Sequence, residues 1–261
     1  MTAPTDAILL GYGGSAHSKI ALAWADDLAA RLSRPLHVLV SALHVPDVPN
    51  VPKEHQMGHV TDELNRLLAS AKAPSTSVTT VLTSPGEALV GAADKAHLTV
   101  LGARTQGPLK SMVNGSVSQY VTRHAPGPVV VVREPNTART GRIIVGIDGS
   151  EHSLKALEFA LRHAKDTSGH VRALHVRQHH DDKTDEKVEQ VLARAFEANG
   201  GMRVDVEHVL GSAPEKLAEA SSEADLLVIG TRGRSAISAL LLGSVTQSVL
   251  QHSQCPVAVV R

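Results

Sequence analysis

The sequence has a single cysteine, Cys255, so no internal disulfide can form, and the expected compartment is the reducing cytoplasm. Aromatic residues are nearly missing: one Trp, two Tyr and two Phe in 261 residues. The cores must therefore be filled by Ala, Val and Leu, which suits helices packed on a parallel sheet rich in β-branched residues. There is no excess of either charge, the formal net charge being zero, and no basic stripe; nucleic acid is not an expected partner. No run approaches the ~18 apolar residues of a membrane span. The first residues lack a charged segment leading into a long apolar stretch, so no signal peptide is expected and no membrane is an expected partner.

What is present is repetition. The segment ILLGYGGSAHS, Ile8 to Ser18, resembles IIVGIDGSEHS, Ile143 to Ser153. LTVLGARTQG from Leu98 resembles LLVIGTRGRS from Leu226, GSVSQ from Gly115 matches GSVTQ from Gly243, and HAPGPVVVVR from His124 matches HSQCPVAVVR from His252. The four matches keep their order and nearly their spacing, so the chain is a tandem duplication, with domains expected at 1–134 and 142–261 and a polar linker from Glu134 to Gly141. The first copy has a longer middle around Val45 to Gln56, where Pro46, Pro49 and Pro52 predict a loop.

Within the second copy, Arg142–Ile147 reads as a strand, Ser150 as an N-cap, and Leu154, Leu157, Leu161 and Ala164 as one helical stripe. Strands over Val171–Val176, Arg203–Val209, Leu226–Gly230 and Pro256–Val260 alternate with helices marked by Val188–Ala195, Pro214–Glu223 and Gly243–His252. Alternation of this kind predicts right-handed crossovers and a parallel α/β sheet covered on both faces.

The most informative stretch runs from Ile229 to Gln247. Gly230 ends an apolar strand, Gly233 follows three residues later, and Gly243 and Ser244 open a helix. A triphosphate needs several backbone N–H groups aimed at one place. Glycines after a strand offer them by tolerating positive φ and adding no side chain, and a helix start adds unpaired N–H groups and a dipole. Ser244 adds a hydroxyl, and Arg232 and Arg234 can balance phosphate charge, although exposed arginines also serve as plain solvated surface. A Gly-Ser pair can equally be a simple cap and a glycine after a strand a simple turn. Their fixed spacing, and Asp148 at the end of the first strand of this copy, favour a site in the crevice where strand order reverses. Asp148 could accept from an adenine amino group or a ribose hydroxyl; it could also only shape an Asp-Gly turn.

Gly230, Gly233, Gly243 and Ser244 match Gly-x2-Gly-x9-Gly-Ser/Thr, and on these residues the chain resembles the universal stress protein family over nearly its whole length, twice. The resemblance implies two tandem doubly wound, parallel, five-stranded α/β sheets of order 3-2-1-4-5, of the adenine nucleotide alpha-hydrolase-like kind. It also implies ATP with Mg2+ in the crevice, and pairing between units through the last strand, hence a homodimer. Carried over by position, Gly146, Ile147, Asp148 and Val176 lie beside adenosine, and Ile229, Gly230, Thr231, Arg232, Gly233, Arg234, Gly243, Ser244 and Val245 line the phosphates. The corresponding positions of the first copy are Gly11, Gly102, Ala103, Arg104, Gly115, Ser116 and Val117. That copy departs from the pattern: Thr105 stands in place of Gly233, and Gly13 in place of Asp148. The two changes are expected to cost roughly ten- to a thousandfold in affinity, leaving the first copy weak or silent and free to act as a built-in pairing partner.

Other signals point nowhere further. GYGGSA from Gly11 fits a dinucleotide fingerprint, but its counterpart from Gly146 does not, so NAD is not expected. No P-loop, kinase catalytic loop or nucleophile elbow occurs. His179 and His180 with Asp181 and Asp182 read as a polar loop; no metal site and no catalytic residue is expected. Cys255 reads as a buried, inert thiol, and Lys183–Glu189 as a solvated helix face. The leading expectation is a cytoplasmic, ATP-binding stress-response protein that switches between nucleotide-bound and free states and acts on a regulatory protein partner. The alternatives are a slow ATPase or autophosphorylating enzyme using Ser244 or a neighbouring hydroxyl, and a nucleotide-free scaffold acting through the strand edges Val129–Arg133 and Val257–Arg261.

Overall fold

The structure is a computed structural model, and it describes residues 3–41, 53–103, 115–133, 139–178, 182–233 and 242–261. The chain divides into two compact units, Met1–Arg133 and Glu134–Arg261.

The first unit runs β1 (Ile8–Tyr12), α1 (Ala16–Arg31), β2 (Leu36–Ser41), α2 (Lys53–Leu68), β3 (Thr76–Val81), α3 (Pro85–Ala92), β4 (Leu98–Gly102), α4 (Ser116–His124) and β5 (Val129–Val132). All its strand pairs are parallel, in the order β3-β2-β1-β4-β5. The second unit repeats this with β6 (Arg142–Ile147), α5 (Glu151–Thr167), β7 (His170–Arg177), α6 (Asp182–Ala198), β8 (Asp205–Leu210), α7 (Ala213–Ala220), β9 (Leu226–Gly230), α8 (Ser244–His252) and β10 (Val257–Val260), ordered β8-β7-β6-β9-β10. Each unit therefore carries the expected order 3-2-1-4-5.

In the second unit the chain steps outward from β6 through β7 to β8, then returns to β9 on the other side of β6. With right-handed crossovers, that reversal puts α5 and α6 on one face of the sheet and α7 and α8 on the other. The packing agrees: α5 lies against α6, β6 and β9, and α7 lies against α8 and β7. The central strands are closed on both sides, so Ile144 and Leu227 are fully buried, as are Leu157 and Leu161 of α5. Small residues let helices come close: α1 buries Ala21, Ala25 and Ala29 along one stripe.

Ser150 is an N-cap as expected, its Oγ accepting from the Ser153 N–H at 3.1 Å. The helix expected over Pro214–Glu223 ends at Ala220, and Ser221–Glu223 tightens into a single 3₁₀ turn. Of the loop expected over Val45–Gln56, Lys53 to Gln56 belong to α2 instead, and the remaining positions lie outside the described residues. The end of the expected linker is fixed in place. The N–H groups of Thr140 and Gly141 donate to the Asp225 carboxylate at 3.0 and 2.7 Å. Among the described residues no helix is long and apolar enough to cross a membrane.

Candidate functional site

β6 and β9 are neighbours, with Val145 opposite Val228, and the chain leaves them in opposite lateral directions. The crevice expected where strand order reverses thus lies beyond Ile147 and Gly230. Asp148 is the first residue out of β6. Its Oδ1 accepts from the Ser150 N–H at 3.0 Å, forming an Asx turn at the start of α5. Gly149 between them has φ +79°, and a β-carbon there would stand 2.7 Å from Lys187 Cβ, so both backbone and space demand glycine. The other oxygen of Asp148 points across the crevice: a β-carbon on Gly233 would stand 2.6 Å from Asp148 Oδ2. The two residues assigned separate roles by the sequence face one another.

The far wall is the start of α8. The Gly243 N–H donates to the Thr231 carbonyl at 2.9 Å, and Thr246 Oγ1 donates to the Gly230 carbonyl at 2.9 Å. These bonds pin α8 to the end of β9. Gly243 is the N-cap and supplies no side-chain cap bond, unlike Ser150 on α5, so nothing from the cap side chain covers the first N–H groups of α8. Ser244 is exposed and Val245 half-buried at this helix start. Thr231 is buried, with its N–H donating to the Val260 carbonyl at 2.9 Å and its Oγ1 lacking a partner. Ile229 is buried in register with Val259. Arg232 is half-buried, and Gly233 is exposed. Arg234 lies outside the described residues.

The glycines act differently from the expectation that they need positive φ. Gly230, Gly233 and Gly243 all lie outside the left-handed region; Gly230 is needed for space, whereas a β-carbon on Gly233 would meet only the end of the Asp148 side chain and one on Gly243 would find ordinary room. At Gly230 a β-carbon would stand 2.9 Å from both the Cβ and the carbonyl oxygen of His152, so this glycine lets the first turn of α5 approach β9. Gly102 does the same in the first unit, 2.6 Å from the His17 carbonyl oxygen. Gly146 and Gly11 are core-packing positions: β-carbons there would meet Leu217, and Leu101 with Leu89. Val176 sits one strand away on β7, in register with Val209 and half-buried, and Ile147 is buried.

Sequence reasoning missed two basic members of this crevice, His152 and Arg261. His152 on α5 has a buried Nδ1 without a hydrogen-bond partner. Burial, then the charges of Arg232, Lys155 and Arg261, hold its imidazole below the ordinary range, with Asp148 pulling the other way. Arg261 is held below its ordinary value by burial and by Arg232. Neighbouring guanidinium charges at Arg232 and Arg261, with an imidazole that an anion would help to protonate, make a place where an anion is welcome. The signal was within the repeat: His17 with His152 and Arg133 with Arg261 are the same residue type in both copies.

In the first unit Gly115 caps α4 without a side-chain bond, with exposed Ser116 and half-buried Val117 following. Ala103 is buried, its N–H donating to the Val132 carbonyl at 2.8 Å. Arg104 and Thr105 lie outside the described residues. The turn after β1 carries Gly13 and Gly14 in place of Asp148 and Gly149, so no carboxylate faces the crevice from that position.

Fold and site define a tandem α/β protein of the doubly wound class, with a glycine-lined, cation-bearing crevice at the switch point of its second unit. The chain belongs to the universal stress protein family, whose model matches it twice, over residues 4–133 and 140–261. It is similar to a universal stress protein of Mycobacterium tuberculosis (strain H37Rv) at 28% identity, covering 97% of this chain and 96% of that one. A Mycolicibacterium smegmatis relative is 29% identical with the same coverage. Among solved structures, a universal stress protein from Archaeoglobus fulgidus superposes with a TM-score of 0.74 at 22% identity over 98% of both chains, a likeness of fold.

Proposed function

We propose that the second unit binds ATP in the crevice between β6 and α8, and that the protein is a nucleotide-dependent switch in a stress response. The observation that carries this reading is the convergence on one crevice of Asp148, Gly233, the uncapped start of α8, and the basic side chains His152, Arg232 and Arg261. The residues present suit the ligand: the partnerless His152 Nδ1 and Thr231 Oγ1 are polar atoms in want of a partner. A β-carbon on Gly233 would crowd the Asp148 carboxylate. In this reading Asp148 and the Val176 backbone hold the nucleoside. The N–H groups of Gly233, Ser244 and Val245, with Arg232, hold the phosphates, and Mg2+ accompanies the triphosphate. A cytoplasmic homodimer acting on a regulatory protein belongs to the same proposal.

The sequence offers no P-loop or kinase catalytic-loop pattern, which favours binding without fast turnover. Calorimetry of the full chain with ATP and magnesium tests the reading. Saturable heat that Gly233→Val removes supports it, and no heat at millimolar ATP overturns it.

A further inference from the structure

On the α5–α6 face of the second sheet, three metal-ligating side chains from three elements converge. His175 of β7 is in register with His208 of β8, and Asp185 comes from the first turn of α6. His175 Nδ1 lies 3.2 Å from His208 Nδ1 and 3.6 Å from Asp185 Oδ1, and the three atoms all lie within 4.8 Å of one another. Zinc bound tetrahedrally at about 2.0–2.1 Å to nitrogen separates its ligand atoms by about 3.3 Å, which matches the nitrogen pair. We propose that His175, His208 and Asp185 form a binding site for a zinc-class divalent cation.

Three observations carry it. First, Asp185 is split in its partnering: Oδ2 accepts from Arg177 NH1 at 2.5 Å, whereas Oδ1, facing His175, is buried without a hydrogen-bond partner. An arginine that orients a ligating carboxylate through its second oxygen is a familiar outer-shell arrangement. Second, the burial is graded. His175 is buried, Asp185 half-buried and His208 exposed, so a cation would be anchored inside yet reach solvent, and water could complete its shell. Third, the fold does not need the two histidines. In the first unit the same two register positions hold Val40 and Thr80, beside Tyr12 where the second unit has Ile147. Two histidines and a carboxylate are a borderline-soft donor set suited to zinc and unsuited to magnesium, which prefers oxygen. The site is independent of the nucleotide reading. It borders it, however: α6 supports the Asp148 turn, since Lys187 lies against Gly149.

The competing arrangement is a metal-free hydrogen-bonded histidine pair. Titrating tag-free, chelator-treated full chain with zinc chloride, followed by calorimetry and thermal melting, separates the two. One zinc per chain and a raised melting temperature are expected. His208→Ala, exposed and therefore harmless to folding, is expected to weaken zinc affinity about a hundredfold or more, and Arg177→Gln about tenfold. Cobalt in place of zinc is expected to give the intense visible absorption of a tetrahedral ion, lost in His208→Ala. Equal zinc binding by wild type and His208→Ala overturns the proposal. So does a site removed by His179→Ala/His180→Ala but not by His208→Ala, or a wild-type chain that takes up no zinc.

Discussion

Asp148 Oδ2 lies where it would meet a β-carbon on Gly233 at 2.6 Å, while Asp148 Oδ1 is held by the Ser150 N–H at 3.0 Å. A side chain at 233 therefore cannot be added without turning a carboxylate that the start of α5 holds in place. Gly233 is exposed, so Gly233→Ala and Gly233→Val are expected to shift stability by only about 0.5 kcal/mol. ATP affinity should fall about ten- to a hundredfold, the worth of one or two charge-assisted hydrogen bonds. Thermal melting and calorimetry on the same preparations check both halves of this expectation.

The two copies are expected to bind unequally. The first lacks the Asp148 carboxylate, having Gly13 there, and has Thr105 in place of Gly233. Calorimetry of the full chain should find one tight nucleotide per chain. Asp148→Asn should abolish most of that binding without uncovering a second tight site. Two sites of equal affinity would contradict the asymmetry.

The tandem units and the alternation of strands and helices were legible because each rests on local signals that repeat: apolar runs ending in glycine, Ser150 at a helix start, two matching copies; the strand order came from the family resemblance. The meaning of the individual glycines was not legible. Gly230 looks in sequence like part of a phosphate loop, yet its missing side chain admits the His152 backbone, and Gly146 admits Leu217. Such close approaches are set by tertiary packing and leave no mark on spacing. The same holds for His175 and His208, 33 positions apart and adjacent only through strand register.

Gly230→Ala and Gly102→Ala distinguish packing from ligand contact. Each new β-carbon would press on backbone, the His152 or His17 carbonyl group, which cannot swing away as a side chain can. Overpacking of this kind costs about 1–3 kcal/mol. Both variants should lower the denaturant midpoint in the absence of nucleotide. Unchanged midpoints with lost ATP binding would make Gly230 a ligand contact instead.

Cys255 is fully buried, and burial pushes its thiol up to about 12. At pH 8 almost none of it is thiolate, the reactive form. Iodoacetamide should leave the native chain unmodified and label it once after denaturation, as read by intact mass.

His152 gives the crevice a pH dependence whose sign can be worked out. In the ligand-free protein its imidazole titrates below the ordinary range of about 6.5, because burial and the charges of Arg232, Lys155 and Arg261 outweigh Asp148. The unfolded chain therefore binds this proton more readily than the folded one. The contribution to stability is full above about pH 6.5 and is lost as pH falls toward the folded value. A polyphosphate close by would favour the imidazolium and raise the bound-state value, so binding should take up a proton, and affinity should rise as pH falls through the window between the bound and free values. ATP titrates its own terminal phosphate nearby, which is why the comparison must be with His152→Gln under identical buffers. The wild type should show proton uptake in calorimetry across buffers of different ionisation enthalpy, and the variant should lose that part alone. Identical proton uptake in both would mean that the phosphates do not come near His152, and that the basic side chains of the crevice serve the fold instead of a ligand.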